Sequence, residues 1–131
     1  MDELDDINGN IPNAAGKICN AFLCQNLRID GRIEDRADIT HVCFEGAWFR
    51  LYFEPFMVFW RASEEAPVAS DEPGYEFELR DVGNEAGIVG VKLVGLSHCR
   101  SNEWIEARFQ FENGKVARVR HDQERADVIL E

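Results

Sequence analysis

Four cysteines and three histidines are the residues of this chain best suited to chemistry: Cys19, Cys24, Cys43 and Cys99, with His41, His98 and His121. Thiolate and imidazole together build the common zinc sites, where closely spaced ligand pairs project from turns. The spacing here is different. Cys19 and Cys24 lie five apart in a stretch that reads as helix, so they project in different directions. His41 and Cys43 share one face of a predicted strand, but the adjacent His98 and Cys99 point to opposite faces. No metal and no cofactor is expected. A nucleophilic cysteine needs a lowered thiol pKa, supplied by a helix N-terminus or a neighbouring cation. No cysteine opens a predicted helix, and no glycine-flanked nucleophile turn occurs. All four cysteines read as small buried hydrophobes.

Acid–base chemistry by carboxylates has many candidates, among them Glu34, Asp35, Asp38, Glu76, Glu78 and Asp81. Their abundance defeats selection, because a working pair is set apart by burial, which spacing alone does not reveal. Gly83, Gly87, Gly90 and Gly95 make no nucleotide fingerprint, since no predicted helix follows them in the right place. No catalytic residue is assigned, and a non-enzyme is expected.

The elements that must position these residues are read from periodicity. Residues 1–10 are acidic, contain Asn8-Gly9, and are expected to form a flexible tail. Residues 11–27 carry Ile11, Ala15, Ile18, Cys19, Phe22 and Leu23 at spacings of three and four, with Asn10 as cap and Pro12 in the first turn. That pattern predicts a helix with one apolar stripe. Asp30-Gly31 marks the turn after it. From residue 32 onward the chain reads as strands: 39–45, 47–53, 56–62, 75–80, 88–96, 105–111 and a short last one at 128–130. Glu45-Gly46 breaks the first two, Pro55 interrupts the next pair, and Gly90 and Gly95 suggest bulges. Residues 63–74 and 83–87 read as loops.

The C-terminal hairpin fixes its own register. A two-residue loop at Asn113-Gly114 would set Phe109 opposite Arg118 and mix the faces. A three-residue loop, Glu112-Asn113-Gly114, instead pairs Phe109 with Ala117, Ala107 with Val119 and Glu106 with Arg120. The expected architecture is one α+β domain over 11–131: an N-terminal helix packed on a strongly curved antiparallel sheet of about six strands.

If Ala47, Phe49, Leu51 and Phe53 face the core, and Ile105, Ala107, Phe109 and Phe111 likewise, six residues point outward: Trp48, Arg50, Tyr52, Trp104, Glu106 and Arg108. Trp, Tyr and Arg are the types in which binding energy concentrates, so these six form the predicted partner-binding set.

Charge indicates the kind of partner. Twenty-five acids against fourteen bases leave −11 over 131 residues, a surface that repels phosphate backbones and anionic lipid and attracts a basic protein. Neither nucleic acid nor membrane is expected as a partner; a homodimer through the same face is the other association this reading admits. The acidic start, Met1-Asp2-Glu3-Leu4-Asp5-Asp6, is unlike an export signal, and no apolar run is long enough to span a bilayer. A cytoplasmic protein with reduced cysteines is expected. In size and bulk charge the chain resembles the small acidic immunity proteins of bacterial toxin–immunity pairs; no motif carries that resemblance. The predicted function is a non-enzymatic binding module, an intracellular inhibitor that neutralises a basic toxin or nuclease. The alternative is a small ligand-binding protein or enzyme with a pocket between the helix and the curved sheet.

Overall fold

A computed structural model describes residues 2–3, 6–54 and 57–131. Met1, Leu4 and Asp5 of the expected tail, and the interruption expected at Pro55, lie outside the described residues. The strands are β1 (Asp2–Glu3), β2 (Ile7–Asn8), β3 (Cys19–Ile29), β4 (Arg32–Asp35), β5 (Ile39–Phe44), β6 (Ala47–Glu54), β7 (Met57–Ser63), β8 (Ser70–Glu72), β9 (Tyr75–Asp81), β10 (Leu93–Arg100), β11 (Ile105–Phe111), β12 (Val116–His121) and β13 (Ala126–Leu130). One four-residue helix, α1 (Val82–Glu85), is capped by the Asp81 side chain. The larger sheet runs β2-β7-β6-β5-β3-β9-β8, with β4 also on β3; the smaller runs β10-β11-β12-β13, with β1 at its β10 edge. Among the described residues every ladder is antiparallel except the short parallel β2–β7 pair.

The helix expected over 11–27 does not exist, so the α+β architecture is replaced by an almost wholly β sandwich. Ile11, Ala15 and Ile18, three members of the supposed stripe, are exposed. Cys19, Phe22 and Cys24 are buried instead, on a strand hydrogen-bonded on both sides, to β5 and β9. Asn20, Asn26 and the two cysteines are weak helix formers, and two flanking ladders satisfy the backbone of 19–29 better than an isolated helix would. Burial on both faces hides the two-residue period: Cys24, Gln25 and Asn26 are consecutive buried positions. The same correction reaches the count of about six strands and the strand expected over 88–96, which begins at Leu93 and continues to Arg100. It also reaches the 63–74 loop, whose end folds as β8 against β9.

Other expectations hold. β11 pairs with β12 in the register given by the three-residue loop: Phe109 with Ala117, Ala107 with Val119, Glu106 with Arg120. Gly114 sits at φ 86, the left-handed position such a loop requires of its glycine. Glu45 and Gly46, at φ 48 and 87, form the two-residue connection whose positive φ values match the twist of the flanking strands. The β10–β11 ladder shifts register between Leu93 and Gly95, a bulge at one of the two glycines suspected of it. The flexible tail is not among these expectations: in its described residues Ile7–Asn8 pairs with Val58–Phe59 and Asp2–Glu3 with Cys99–Arg100.

The two sheets face each other across one core. Phe22 of β3 meets Phe109 of β11 edge to face at 5.0 Å, and Trp60 of β7 meets the same ring at 6.2 Å. Each fully buried ring contributes about 2–3 kcal/mol of burial, and each ring pair about 1 kcal/mol beyond area. Backbone bonds tie the layers together at two corners. Arg36 N–H donates to Ala126 C=O at 3.2 Å at one; Cys19 N–H and Leu93 N–H bond to Val91 C=O and Lys17 C=O at the other.

Candidate functional site

The core accounts for one histidine and much of the thiol chemistry. Trp60 Nε1–H donates to His98 Nε2 at 2.9 Å in the buried space between β7 and β10. Burial pushes the His98 pKa down from 6.5 to about 4. On the outer face of the larger sheet, His41 Nε2 lies 3.4 Å from Gln25 Oε1, and Gln25 Nε2–H donates to Asp38 Oδ2 at 3.2 Å. Burial and then the Arg50 charge hold the His41 pKa down at about 4. His121 stacks on Phe53 at 5.5 Å.

All four cysteines are free and buried. Burial pushes the Cys19 and Cys24 thiols up to about 12 and raises Cys43 and Cys99 as well. These are conditions opposite to those of a reactive thiol. Among the described residues, no group of three or more His, Cys, Asp and Glu could hold a metal ion.

The six predicted contact residues divide between opposite sides of the sandwich. Ile105, Ala107, Phe109 and Phe111 of β11 and Leu51 of β6 are buried in the core, Phe49 and Phe53 are half-buried against it and Ala47 is exposed, so the even-numbered neighbours face outward. With the core between them, Trp48, Arg50 and Tyr52 lie on the outer face of the larger sheet, while Trp104, Glu106 and Arg108 belong to the smaller sheet's side. The structure does not bring the two trios together.

The smaller sheet's outer face closes on itself. Glu106 has no exposed surface despite its outward direction. Arg120 Nε and Nη2 donate to its Oε1 at 3.0 and 2.8 Å; Arg108 Nη2 donates to its Oε2 at 2.9 Å, and the Cys99 thiol donates to the same oxygen at 3.4 Å. Burial alone would raise the Glu106 pKa; these hydrogen bonds outweigh it, and the carboxyl titrates below its ordinary value. Arg120 also lies 3.9 Å over the Trp104 ring, and Arg118 pairs with Glu131 at 3.1 Å.

The larger sheet's outer face is differently made. On β6, Trp48, Arg50, Tyr52 and Glu54 point outward in succession, with Arg50 and Glu54 exposed and the rings half-buried. Across the β6–β7 ladder Trp48 stands opposite Ser63, Arg50 opposite Arg61 and Tyr52 opposite Phe59. Tyr52 and Phe59 stack at 5.1 Å with planes 5° apart. Arg61 is held by the Trp60 C=O at 2.7 Å and the Asn8 C=O at 3.2 Å, and its guanidinium lies 5.6 Å from the Phe59 ring centre. Arg50 enters no ion pair among the described residues. Phe59 and Arg61 were missed by the sequence reading, although the alternation of Met57, Phe59 and Arg61 carried the signal. Apolar residues on both faces of that strand masked it.

The pocket expected between helix and sheet has no helix to form it, and buried side chains of both sheets pack in one cluster. A cleft of about 460 Å³ lies instead at the end of the sandwich, between Asn8–Asn13 and the Phe49, Trp60 and Arg61 side. Its lining mixes the amides of Asn8, Asn10 and Asn13 with Ile11, Pro12, Phe49, Trp60 and Arg61 and has no acid, histidine or cysteine. No helix among the described residues is long and apolar enough to cross a membrane. No protein family, no curated protein and no solved structure matches the chain.

Proposed function

We propose that this chain is a non-enzymatic protein-binding module that uses the outer face of β6 and β7 to bind a basic protein. The observation that carries the reading is the row Trp48, Arg50, Tyr52 with Phe59 and Arg61 beside it, in which Arg50 is exposed and the rings are half-buried. Aromatic rings and arginines of this kind supply much binding energy for little ordering cost. A net charge of −11 draws a basic partner in at long range. The same charge works against a homodimer through this face, since two such chains repel.

The specific form of the proposal is an intracellular inhibitor of the immunity-protein kind, directed at a basic toxin or nuclease. Small size and acidity support it: a nuclease site must attract phosphate, and an acidic protein can occupy it by presenting similar charge. The test is affinity capture from the cell of origin, followed by calorimetry with the purified partner at rising salt. A basic partner is expected, bound more weakly as salt rises and about ten-fold more weakly by the double variant Trp48→Ala/Tyr52→Ala. An acidic partner, or a double variant that is folded and binds like the parent, would overturn the proposal.

A further inference from the structure

The charges on the proposed face are not those of the whole molecule. Its centre is cationic: Arg50 and Arg61 stand directly opposite each other across β6 and β7. Like charges in that position repel. Arg61 is compensated by the Asn8 and Trp60 carbonyls. Arg50 has no carboxylate among the described residues, and its other neighbour, His41, is kept neutral at pH 7. Rings bracket the pair, with Trp48 and Tyr52 on either side of Arg50 and Phe59 two residues before Arg61. Exposed acids occupy both ends: Glu54 at the far end of β6, and Glu64 and Glu65 just past the end of β7.

Building on the binding face proposed above, we infer that the partner presents a carboxylate to Arg50, between two apolar side chains, with basic residues around it. A basic rim alone would meet Glu54, Glu64 and Glu65 but would set cation against cation at the centre. A central Asp or Glu removes that conflict and gives the Arg50 guanidinium the forked acceptor it lacks. Electrostatic complementarity of this kind fixes register more than affinity. The pattern of basic rim and acidic centre is therefore a specificity requirement on the partner.

The test uses two five-residue probes with the full-length chain: acetyl-Lys-Phe-Asp-Phe-Lys-amide and its counterpart with Asn in place of Asp. Both are titrated into isotope-labelled protein at low salt and followed by NMR. The Asp probe is expected to bind about three-fold more tightly, as an exposed ion pair allows. It should shift the Arg50 Nε–H and the Trp48 indole N–H. In Arg50→Gln, which alters one exposed side chain, the two probes are expected to bind equally.

Equal binding of both probes to the parent chain would overturn the carboxylate inference and leave the binding face standing. So would an Asp preference that survives in Arg50→Gln. Failure of both probes to perturb the outer face of β6 and β7 would overturn the inference together with the choice of face.

Discussion

His98 makes the fold acid-labile in a defined window. In the folded chain its Nε2 accepts the Trp60 indole N–H at 2.9 Å, which only the neutral ring can do. Nothing charged relieves it: burial alone moves the pKa from 6.5 to about 4. The unfolded chain therefore binds a proton below pH 6.5 that the folded chain refuses until about pH 4. Stability is undiminished above the upper value and falls as pH drops through the interval. The interval corresponds to about 3 kcal/mol, a large share of a typical domain's stability. His41, also held near 4 by burial and by Arg50, adds in the same direction. Asp35 and Asp38, raised chiefly by burial, act in the opposite one. The His98 contribution is isolated by His98→Gln, whose amide oxygen can accept the indole N–H without titrating. Urea unfolding at successive pH values should show the parent losing about 3 kcal/mol more than His98→Gln between neutrality and pH 4. Parallel curves for the two proteins would refute the argument.

Two further outcomes are expected. Glu106→Gln leaves the heads of Arg108 and Arg120 facing a neutral amide in a site where the carboxylate has no exposure; it should cost about 3 kcal/mol, and a loss below about 1 kcal/mol in urea unfolding would count against the clamp. Cys24, buried with its thiol near 12, should resist alkylation at mildly basic pH until urea unfolds the chain; mass spectrometry finding it labelled in the native protein as fast as in the unfolded one would contradict that placement.

What was legible in the sequence followed the strength of local pattern. On β6 and β11 one face carries the apolar residues of the core and the other the polar ones, so their alternation survives in the residue string. The β11–β12 hairpin was readable to the residue because only one loop length kept Phe109 and Ala107 opposite apolar partners. β3 was unreadable for the converse reason. It lies mid-sheet, with the core on one face and, on the other, half-buried Leu23 and buried Gln25 beside the buried His41 of β5. Its period is erased, and Ile11, Ala15 and Ile18 supplied a false one from an exposed segment. The candidate face was half legible: outward direction on β6 followed from alternation, but the register of the next strand beside it did not. The β6–β7 ladder puts Phe59 and Arg61 next to Tyr52 and Arg50.

The six outward residues looked equivalent as a string because residue type says nothing about whether a charge is already satisfied. Taking a carboxylate out of water costs several kcal/mol, offset at Glu106 by two guanidinium groups and a thiol and only because all are present together. A partner reaching for Arg108 or Arg120 would have to break that set and leave Glu106 buried beside fewer cations. Its own ion pair would be gained at the expense of one already made, and Trp104 is likewise occupied by Arg120. On β6 no such exchange is required. Arg50 is exposed, faces another cation across the ladder, and loses only water when an anion arrives. The same residue types therefore stabilise the fold on one sheet and stay available on the other, and the difference lies in the buried carboxylate: Arg108 and Arg50 both face an arginine across the ladder, but Arg108 is held by Glu106, whereas Arg50 enters no ion pair among the described residues.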